Sequence, residues 1–426
     1  MKKMDYQNVK GTQDYLPEAE VIRRKVRRTL EDVFIQYGCK PLETPILNYS
    51  ELLSSKYGGG AEILEEMYCL SDRGERELAL RYDLTIPFAK VVAMNPNLRM
   101  PFKRYEIGKV FRDGPIKTGR FREFTQCDVD IVGVESQIAE AELMEMAVEV
   151  FKKLELDVMI QFNNRKLLVG MLELLNTPSE KINEVVLTLD KLEKIGVEGV
   201  VAELKEKDLS IKTVTMVKEL IADPQNKDLE YFEQYAKDNE TLKQGIDELK
   251  ELISYIKYLN LENNCFFNPF LARGLEIYTG TIYEIFLTNQ SVKSSIGSGG
   301  RYDNAIGGLI GTNQVFSTVG ISFGLDVIYT AMNLIGKGNL VESEIDYYVV
   351  PINTHRESLL VASYLRQAGN NVEFEMGNKK LSKALERANK ENVRYVIIIG
   401  EDEVRNNQYK VKDMVSGDER VESFIF

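Results

Sequence analysis

The residues best equipped for chemistry lie close together. Between Phe102 and Asp130 the chain carries seven cations, Lys103, Arg104, Lys109, Arg112, Lys117, Arg120 and Arg122, around a loop that opens at Asp113-Gly114-Pro115 and closes at Gly119. Alternation along 102–111 separates Arg104, Glu106 and Gly108 from Lys103, Tyr105 and Ile107. A long-looped hairpin with cations at its strand ends and tip suits a polyphosphate or a nucleic-acid end, and equally suits a charged hairpin facing solvent. Arg81-Tyr-Asp83-Leu-Thr85 offers a carboxylate and a hydroxyl to a substrate ammonium, or else a capped helix start with Pro87 in its first turn. Arg273 sits in apolar chain between Phe270 and Leu275, so it needs either a structural carboxylate or an anionic ligand.

What is missing narrows the chemistry further. The 426 residues include one histidine, His355, which excludes His-rich zinc sites and the HExxH proteases. It leaves Ser–His or Cys–His nucleophile chemistry one possible base, so any catalysis is expected to run on Arg, Lys and carboxylates, through positioning and charge stabilisation of phosphate-bearing substrates. Ser298-Gly-Gly-Arg301-Tyr-Asp303 could bring backbone close to a ligand, but Tyr302 stands where a dinucleotide fingerprint needs its third glycine, and there is no GxxxxGK[ST] loop. A net charge of −12 asks any nucleic-acid partner to find local basic patches. One such patch is Lys380, Lys383, Arg387, Lys390 and Arg394, spaced 3, 4, 3, 4 on one helical face, which also reads as a solvated surface. Cys39, Cys69, Cys127 and Cys265 stand alone and read as reduced thiols, no apolar run approaches the ~18 residues of a membrane span, and the start lacks a signal-like apolar stretch; the expectation is a cytoplasmic protein.

These residues need elements to position them. A helix is expected over Pro17–Tyr37, strands over Glu77–Arg81, Phe102–Phe111 and Phe121–Val134, a helix over Ser136–Leu154 and a strand over Asp157–Phe162. Short strands alternating with loops favour an antiparallel sheet with helices to one side. From about Lys166 to Glu262 charge and leucine dominate at helical spacing, as in an inserted helical domain. Strand-like chain returns over Cys265–Leu287, a strand-to-helix unit spans Val315–Leu334, and residues 336–339 read as a linker. Beyond Asp346, strand and helix alternate as in a small α/β domain with a parallel sheet. The expected division is 1–163 with 263–336, a helical insertion 164–262, and an α/β domain 344–426.

Five motifs in order resemble the histidyl-tRNA synthetases: Lys10-Gly-Thr-Gln-Asp14, Leu80-Arg-Tyr-Asp-Leu-Thr-Ile-Pro87, Phe111-Arg112 with Gly119-Arg-Phe-Arg-Glu-Phe-Thr-Gln-Cys-Asp-Val-Asp130, Ala272-Arg-Gly-Leu with Tyr-Thr-Gly280, and Gly299-Gly-Arg-Tyr-Asp303. The resemblance covers essentially the whole chain and is expected to be closest to the eukaryotic and archaeal type. It implies an α+β class II catalytic domain, with an antiparallel sheet and flanking helices, a helical insertion, a C-terminal α/β anticodon-binding domain, and a homodimer. The implied activity is ATP-dependent ligation of L-histidine to tRNA(His) through a histidyl-adenylate, with Mg2+ on the phosphates.

By resemblance, Arg112 holds the ATP α-phosphate and Arg273 steadies the α-phosphate and carboxylate as they react. Asp83, Thr85 and Gln126 take the histidine ammonium, while Asp130 and Tyr278 take the imidazole. Arg120 and Arg301 join Arg112 on ATP, and Lys117, Lys383 and Arg387 face tRNA. Three departures surround this site. Gly324-Leu-Asp326-Val327 puts valine where the family has a nucleotide-contacting arginine; the loop after Arg112 is one residue short; and Glu276-Ile277 replaces Asp-Tyr ahead of Tyr278. Val327 opens an alternative, a catalytically weak or silent paralogue acting as a regulatory or amino-acid-sensing subunit.

Overall fold

Pro17 at the first helical position, with Glu18 and Glu20 in the first turn, starts a 20-residue helix, Pro17–Gln36, that buries Ile22, Val26, Leu30, Val33 and Phe34. Gly38, at φ +77°, ends it. The structure, a computed structural model, describes residues 6–54, 64–223, 226–273, 277–312, 314–336, 343–377 and 380–424. The chain divides into two compact units, 1–338 and 339–426.

In the first unit the strands are β1 (Lys40–Pro41), β2 (Leu47–Tyr49), β3 (Cys69–Ser71), β4 (Glu77–Leu80), β5 (Phe102–Phe111), β6 (Glu123–Val132), β7 (Val158–Asn164), β8 (Cys265–Phe267), β9 (Thr281–Leu287), β10 (Gly297–Arg301) and β11 (Thr318–Gly324). Eight of them form one sheet in the order β1-β5-β6-β11-β10-β9-β7-β8, while β2-β4-β3 form a small separate sheet. The six central strands pair antiparallel, as expected, and β1 and β8 close the edges in parallel. The strand-like run at 265–287 is not one strand. Its chain pairs as β8, leaves the sheet, and returns as β9, so Arg273 lies in the connection between them.

Period-two alternation decides what each sheet face does. Cys127, Val129 and Ile131 of β6 are buried, and Phe323 of β11 lies between Phe34 of the first helix and Phe151 of the helix Ile138–Lys153. The intervening residues Gln126, Asp128 and Asp130 pair in register with Gly324, Ser322 and Gly320 of β11 and point the other way. One face is core, and the other is left for a site.

Every described element from Arg165 to Tyr258 is helical. Helices Arg165–Leu174 and Glu240–Tyr258 meet where Gly170 and Gly245 remove side chains: a Cβ on Gly170 would sit 2.5 Å from the Leu242 nitrogen, and one on Gly245 2.6 Å from the Leu167 nitrogen. Helix Glu240–Tyr258 also packs on helix Ile138–Lys153 and β7, so this stretch belongs to the first compact unit.

In the second unit β12 (Tyr347–Pro351), β13 (Val372–Phe374), β14 (Tyr395–Ile399), β15 (Gln408–Asp413) and β16 (Glu419–Ser423) form a sheet ordered β13-β12-β14-β15-β16. Strands β13, β12 and β14 are parallel, but β15 and β16 add antiparallel, so the wholly parallel sheet expected from the sequence is corrected to a mixed one. Helix His355–Gln367 covers Val349, Ile397 and Ile399 on one face; helix Leu381–Lys390 covers Tyr348, Val350 and Val396 on the other. Of the expected linker, residues 337–339 lie outside the described residues.

Candidate active site

On the open face of β6, β11 and β10 lies a cleft of about 460 Å³, floored by Asp128 and Asp130 of β6, Gly320 and Ser322 of β11, and Ser298 to Gly300 of β10. Asp83 and Thr85 form one wall, Ile277 and Tyr278 another, with Tyr302 behind. The glycines make the space. A Cβ on Gly300 would come 2.8 Å from the Tyr278 ring, and one on Gly320 would collide with the Asp130 carboxylate.

Strand register supplies the electrostatics. Arg104 of β5 pairs with Asp130 across the β5–β6 ladder, is completely buried, and sets its Nη2 2.6 Å from Asp130 Oδ2. The Leu84 carbonyl accepts from Nη2 at 3.2 Å, and the Phe88 ring lies 4.4 Å from the guanidinium. Tyr302 OH donates to Asp130 Oδ1. Burial raises the Asp130 carboxyl, and Arg104 and Tyr302 pull it back. Next to Asp128 on β5, Glu106 accepts from Thr44 and from Arg81 Nη1, at 2.9 and 2.8 Å. Arg81 is thereby a structural cation that anchors the turn to Asp83.

Asp83 lies just ahead of helix Thr85–Met94, and its Oδ1 accepts from the Ile86 N–H at 3.2 Å, so the capping role and the cleft position coexist. Burial pushes its carboxyl up to about 6, against the pull of that N–H and of Arg112. Arg112 donates from Nε to the Tyr82 carbonyl at 2.9 Å and stands 5.3 Å from the Phe124 ring. Its backbone N–H closes the hairpin on the Arg122 carbonyl at 2.8 Å. The acid that opens the shortened loop, Asp113, pairs with Arg122 at 2.8 Å, and Arg120 reaches Glu66 at 3.1 Å while staying half exposed. Lys117 is exposed at the tip, bridging to Arg120 through the backbone.

Gln126 donates from Nε2 to Ser322 Oγ at 2.9 Å. Arg273 sets Nη1 2.6 Å from Glu284 Oε1 and stands 5.7 Å from the Tyr278 ring, at the edge of the cleft. Residues Gly274 to Glu276, including the Glu276 departure, lie outside the described residues. The cleft itself is therefore lined by Asp83, Thr85, Asp130 and Tyr278, with Gln126 joined to it through Ser322, Arg112 acting on Asp83 from one side and Arg273 beside Tyr278.

Arg301 does not join them. Only 3% exposed, it gives Nε and Nη2 to Glu140 at 2.6 and 2.8 Å and Nη1 to the Val134 carbonyl at 2.9 Å. Its donors are spent on the helix that covers the sheet, which corrects the expected nucleotide contact. Arg387 is similarly committed: it binds Glu373 and Glu391 at 2.5 and 2.8 Å, with Glu375 at 3.7 Å, whereas Lys383 is exposed. In the second unit, then, the cationic face is carried by Lys383 and its lysine neighbours rather than by Arg387.

Val327 lies in the first turn of helix Leu325–Leu334 and packs under the hairpin loop: a Cβ on Gly119 (φ +73°) would meet its Cγ2 at 2.9 Å. Asp326, beside it, accepts from Arg23, from Tyr15 OH at 2.5 Å, and from the Thr125 N–H at 2.7 Å. That buried knot tying the start of the chain to β6 escaped sequence reasoning, as did Asp128 and the pairing of Arg104 with Asp130; only the alternation along β6 could have pointed to Asp128.

Known proteins match the chain over nearly its whole length. The family model for Histidyl-tRNA synthetase matches residues 11–328, and that for an anticodon binding domain matches 346–424. "Histidine--tRNA ligase 2" of Shouchella clausii is 58% identical over 426 residues, covering 100% of both chains. "Histidine--tRNA ligase 1" of Bacillus cereus is 56% identical, covering 98% of this chain and 97% of its own. The crystal structure of histidyl-tRNA synthetase from Nostoc sp. PCC 7120 superposes with a TM-score of 0.85 at 30% identity, covering 99% and 97%. These relatives are bacterial, so the expected affinity with the eukaryotic and archaeal type is not supported; motifs imposed by a shared substrate carry little information about lineage.

Proposed function

The chain belongs to the histidyl-tRNA synthetase family, its activity is the ATP-dependent ligation of L-histidine to tRNA(His), and we propose that the cleft between β6, β11 and the Asp83–Thr85 turn is where histidine meets ATP. The observation that carries this reading is the convergence of Asp83, Thr85, Asp130 and Tyr278 on one cleft with Arg112 and Arg273 at its edges. Asp130 and Tyr278 take the imidazole, and the Asp83 side of the cleft takes the ammonium. The histidine carboxylate then faces the two arginines, where an α-phosphate would lie between like cations.

Attack of the carboxylate oxygen on the α-phosphorus expels pyrophosphate and needs no protein base. What it needs is alignment and cations where negative charge gathers. Arg112, anchored through Nε to Tyr82, has a fixed direction, and Arg273 is held by Glu284 beside Tyr278. A terminal ribose hydroxyl of tRNA(His) completes the reaction by attacking the adenylate carbonyl, with AMP leaving. Arg120 lies on the loop that would cover ATP, and Lys117 at its tip is placed for the acceptor end of tRNA. Magnesium belongs to the ATP complex in this reading. Among the described residues no group of three or more His, Cys, Asp or Glu side chains forms a resident metal site, so the phosphate oxygens would be its main ligands. Incubation of the chain with ATP, histidine and tRNA(His) tests the function: histidyl-tRNA must accumulate.

Val327 supplies neither donor nor charge, so phosphate binding falls on Arg112 and Arg120. An arginine there would extend along Gly119 into the same loop, and Val327→Arg is expected to lower the ATP KM several-fold, as a charge-assisted phosphate contact should. Pyrophosphate exchange against ATP concentration, run with thermal unfolding, measures it; an unchanged KM with a lowered melting temperature would show that the space has closed around valine. The regulatory-paralogue alternative rests on Val327 alone and has no better support than the ligase.

The tRNA contact of the second unit is assigned to the face bearing Lys383. Lys383→Glu is expected to weaken tRNA(His) binding and to lower its salt slope by about 1–2, with adenylation unchanged. An unaltered affinity and slope would leave only a solvated lysine. Assembly as a homodimer belongs to the same proposal, supported by the exposed Leu47, Tyr49 and Leu70 on the small sheet β2-β4-β3. So does a cytoplasmic location, with no described helix long and apolar enough to cross a membrane.

A further inference from the structure

We propose that Glu66 sets the affinity for ATP from inside the chain: its carboxylate holds Arg120 while the site is empty and releases it to the distal phosphates of ATP. The inference rests on the reading of Arg112 and Arg120 as the phosphate cations. It comes from a carboxylate that stands where that reading needs phosphate. Arg120 Nη2 lies 3.1 and 3.2 Å from the two Glu66 oxygens. The same carboxylate lies flat against Gly114 on the outgoing limb of the hairpin loop, where a Cβ would collide with it. The Glu66 carbonyl accepts from the Asp113 N–H at 2.8 Å. One residue thus grips both limbs of the loop, through its backbone on one and its charge on the other.

The neighbours of Glu66 fix where it stands. Met67 packs on the buried cluster of Leu53, Ala79, Tyr82 and Ile86. The Tyr68 carbonyl accepts from the Leu80 N–H at 3.0 Å, beside the small sheet β2-β4-β3. Tyr82, whose ring belongs to that cluster, also gives its carbonyl to Arg112 Nε. The frame that aims Arg112 therefore delivers Glu66 as well.

Charge gives the contact its purpose. Two guanidiniums set out for one polyphosphate repel each other while no phosphate is there. Burial works against the Arg112 cation and Arg120 adds to that, whereas Asp83 and Glu66 support it. Glu66 thus offsets the repulsion between the two arginines before ATP arrives. The contact is also easy to give up. The side chains of Glu66 and Arg120 are 20% and 48% exposed, against 0% and 4% for the structural pair Glu140 and Arg301, so water screens the first pair and not the second. A triphosphate brings more charge and more oxygens to a guanidinium than one carboxylate does, and it displaces Glu66. With Val327 in place of a third cation, that competition bears directly on ATP affinity.

The test is pyrophosphate exchange against ATP concentration for the unaltered chain, Glu66→Gln, Glu66→Asp, Arg120→Gln and the double variant Glu66→Gln with Arg120→Gln, each with its thermal unfolding. Glu66→Gln is expected to lower the ATP KM about 2- to 5-fold, the range for removing one partly solvated ion pair, while the histidine KM and the melting temperature hold. Glu66→Asp keeps the charge but falls one methylene short of Arg120, and should lower the ATP KM less. Arg120→Gln is expected to raise it, and adding Glu66→Gln to Arg120→Gln should recover little, because the acid acts through that arginine. An unchanged ATP KM in both Glu66 variants would overturn the assignment. So would a raised one, the result for a residue that shapes the loop or binds the magnesium of ATP, and so would an equal fall with and without Arg120. No exchange by the unaltered chain would overturn the reading of the phosphate site itself; exchange by the unaltered chain with no fall in the Glu66 variants would remove the role of Glu66 alone.

Discussion

Arg273→Ala is expected to form histidyl-adenylate about 10²- to 10³-fold more slowly than the parent, the scale for removing one preorganised group that stabilises developing charge. It should unfold at nearly the same temperature. The side chains of Arg273 and Glu284 are 18% and 21% exposed, and a partly solvated pair of this kind contributes roughly 0–1 kcal/mol. Arg273 also sits in a connection between strands rather than under the sheet, with Tyr278 as its neighbour on the cleft side. If it were merely one half of an ion pair, Glu284→Gln would do the same damage as Arg273→Ala. If Arg273 instead meets the reacting groups, Glu284→Gln only loosens a positioning contact and costs less. Single-turnover adenylation alongside thermal unfolding separates the two. A normally active Arg273→Ala, or one that simply fails to fold, contradicts the assignment.

Arg301→Ala is expected to fail in the opposite way, losing about 3–5 kcal/mol of stability, the cost of stranding a buried charge. Glu140 is fully buried and both of its oxygens are held by Arg301, which also ties the Val134 and Ser136 carbonyls. Removing the cation leaves those acceptors without donors beneath the helix Ile138–Lys153. Replacing both partners, Arg301→Met with Glu140→Met, should recover part of the loss, because no charge is then left unpaired. Denaturant titration reads the effect. A stable Arg301→Ala with a raised ATP KM would return Arg301 to the nucleotide.

The two arginines mark the limit of what the sequence makes legible. Motif order pointed to Asp83, Thr85, Asp130 and Tyr278, which line one cleft, because each motif carries its own local turn or strand and alternation on β6 aims its polar residues to one face; Arg112 and Arg273 stand outside that lining. The roles of Arg301 and Arg104 could not be read the same way. Glu140 is 161 positions from Arg301, and Arg104 meets Asp130 only through the β5–β6 register. A guanidinium looks the same in a motif whether its partner is a phosphate or a buried glutamate; only the fold brings up the partner. Arg387 repeats the lesson, since spacing showed a cationic face while Glu373 and Glu375 arrive from β13 and the residue beyond it. The β15–β16 hairpin was missed because its strands alternate charge with few apolar residues, Lys410 and Lys412 opposite Val421 and Glu419.

Histidine-dependent exchange of labelled pyrophosphate into ATP tests the central claim most directly, since it needs only the cleft, its arginines and the two small substrates. Exchange is expected to require histidine, to find no support from the other standard amino acids, and to proceed without tRNA. Absence of exchange at saturating ATP and histidine in a folded chain would contradict the claim.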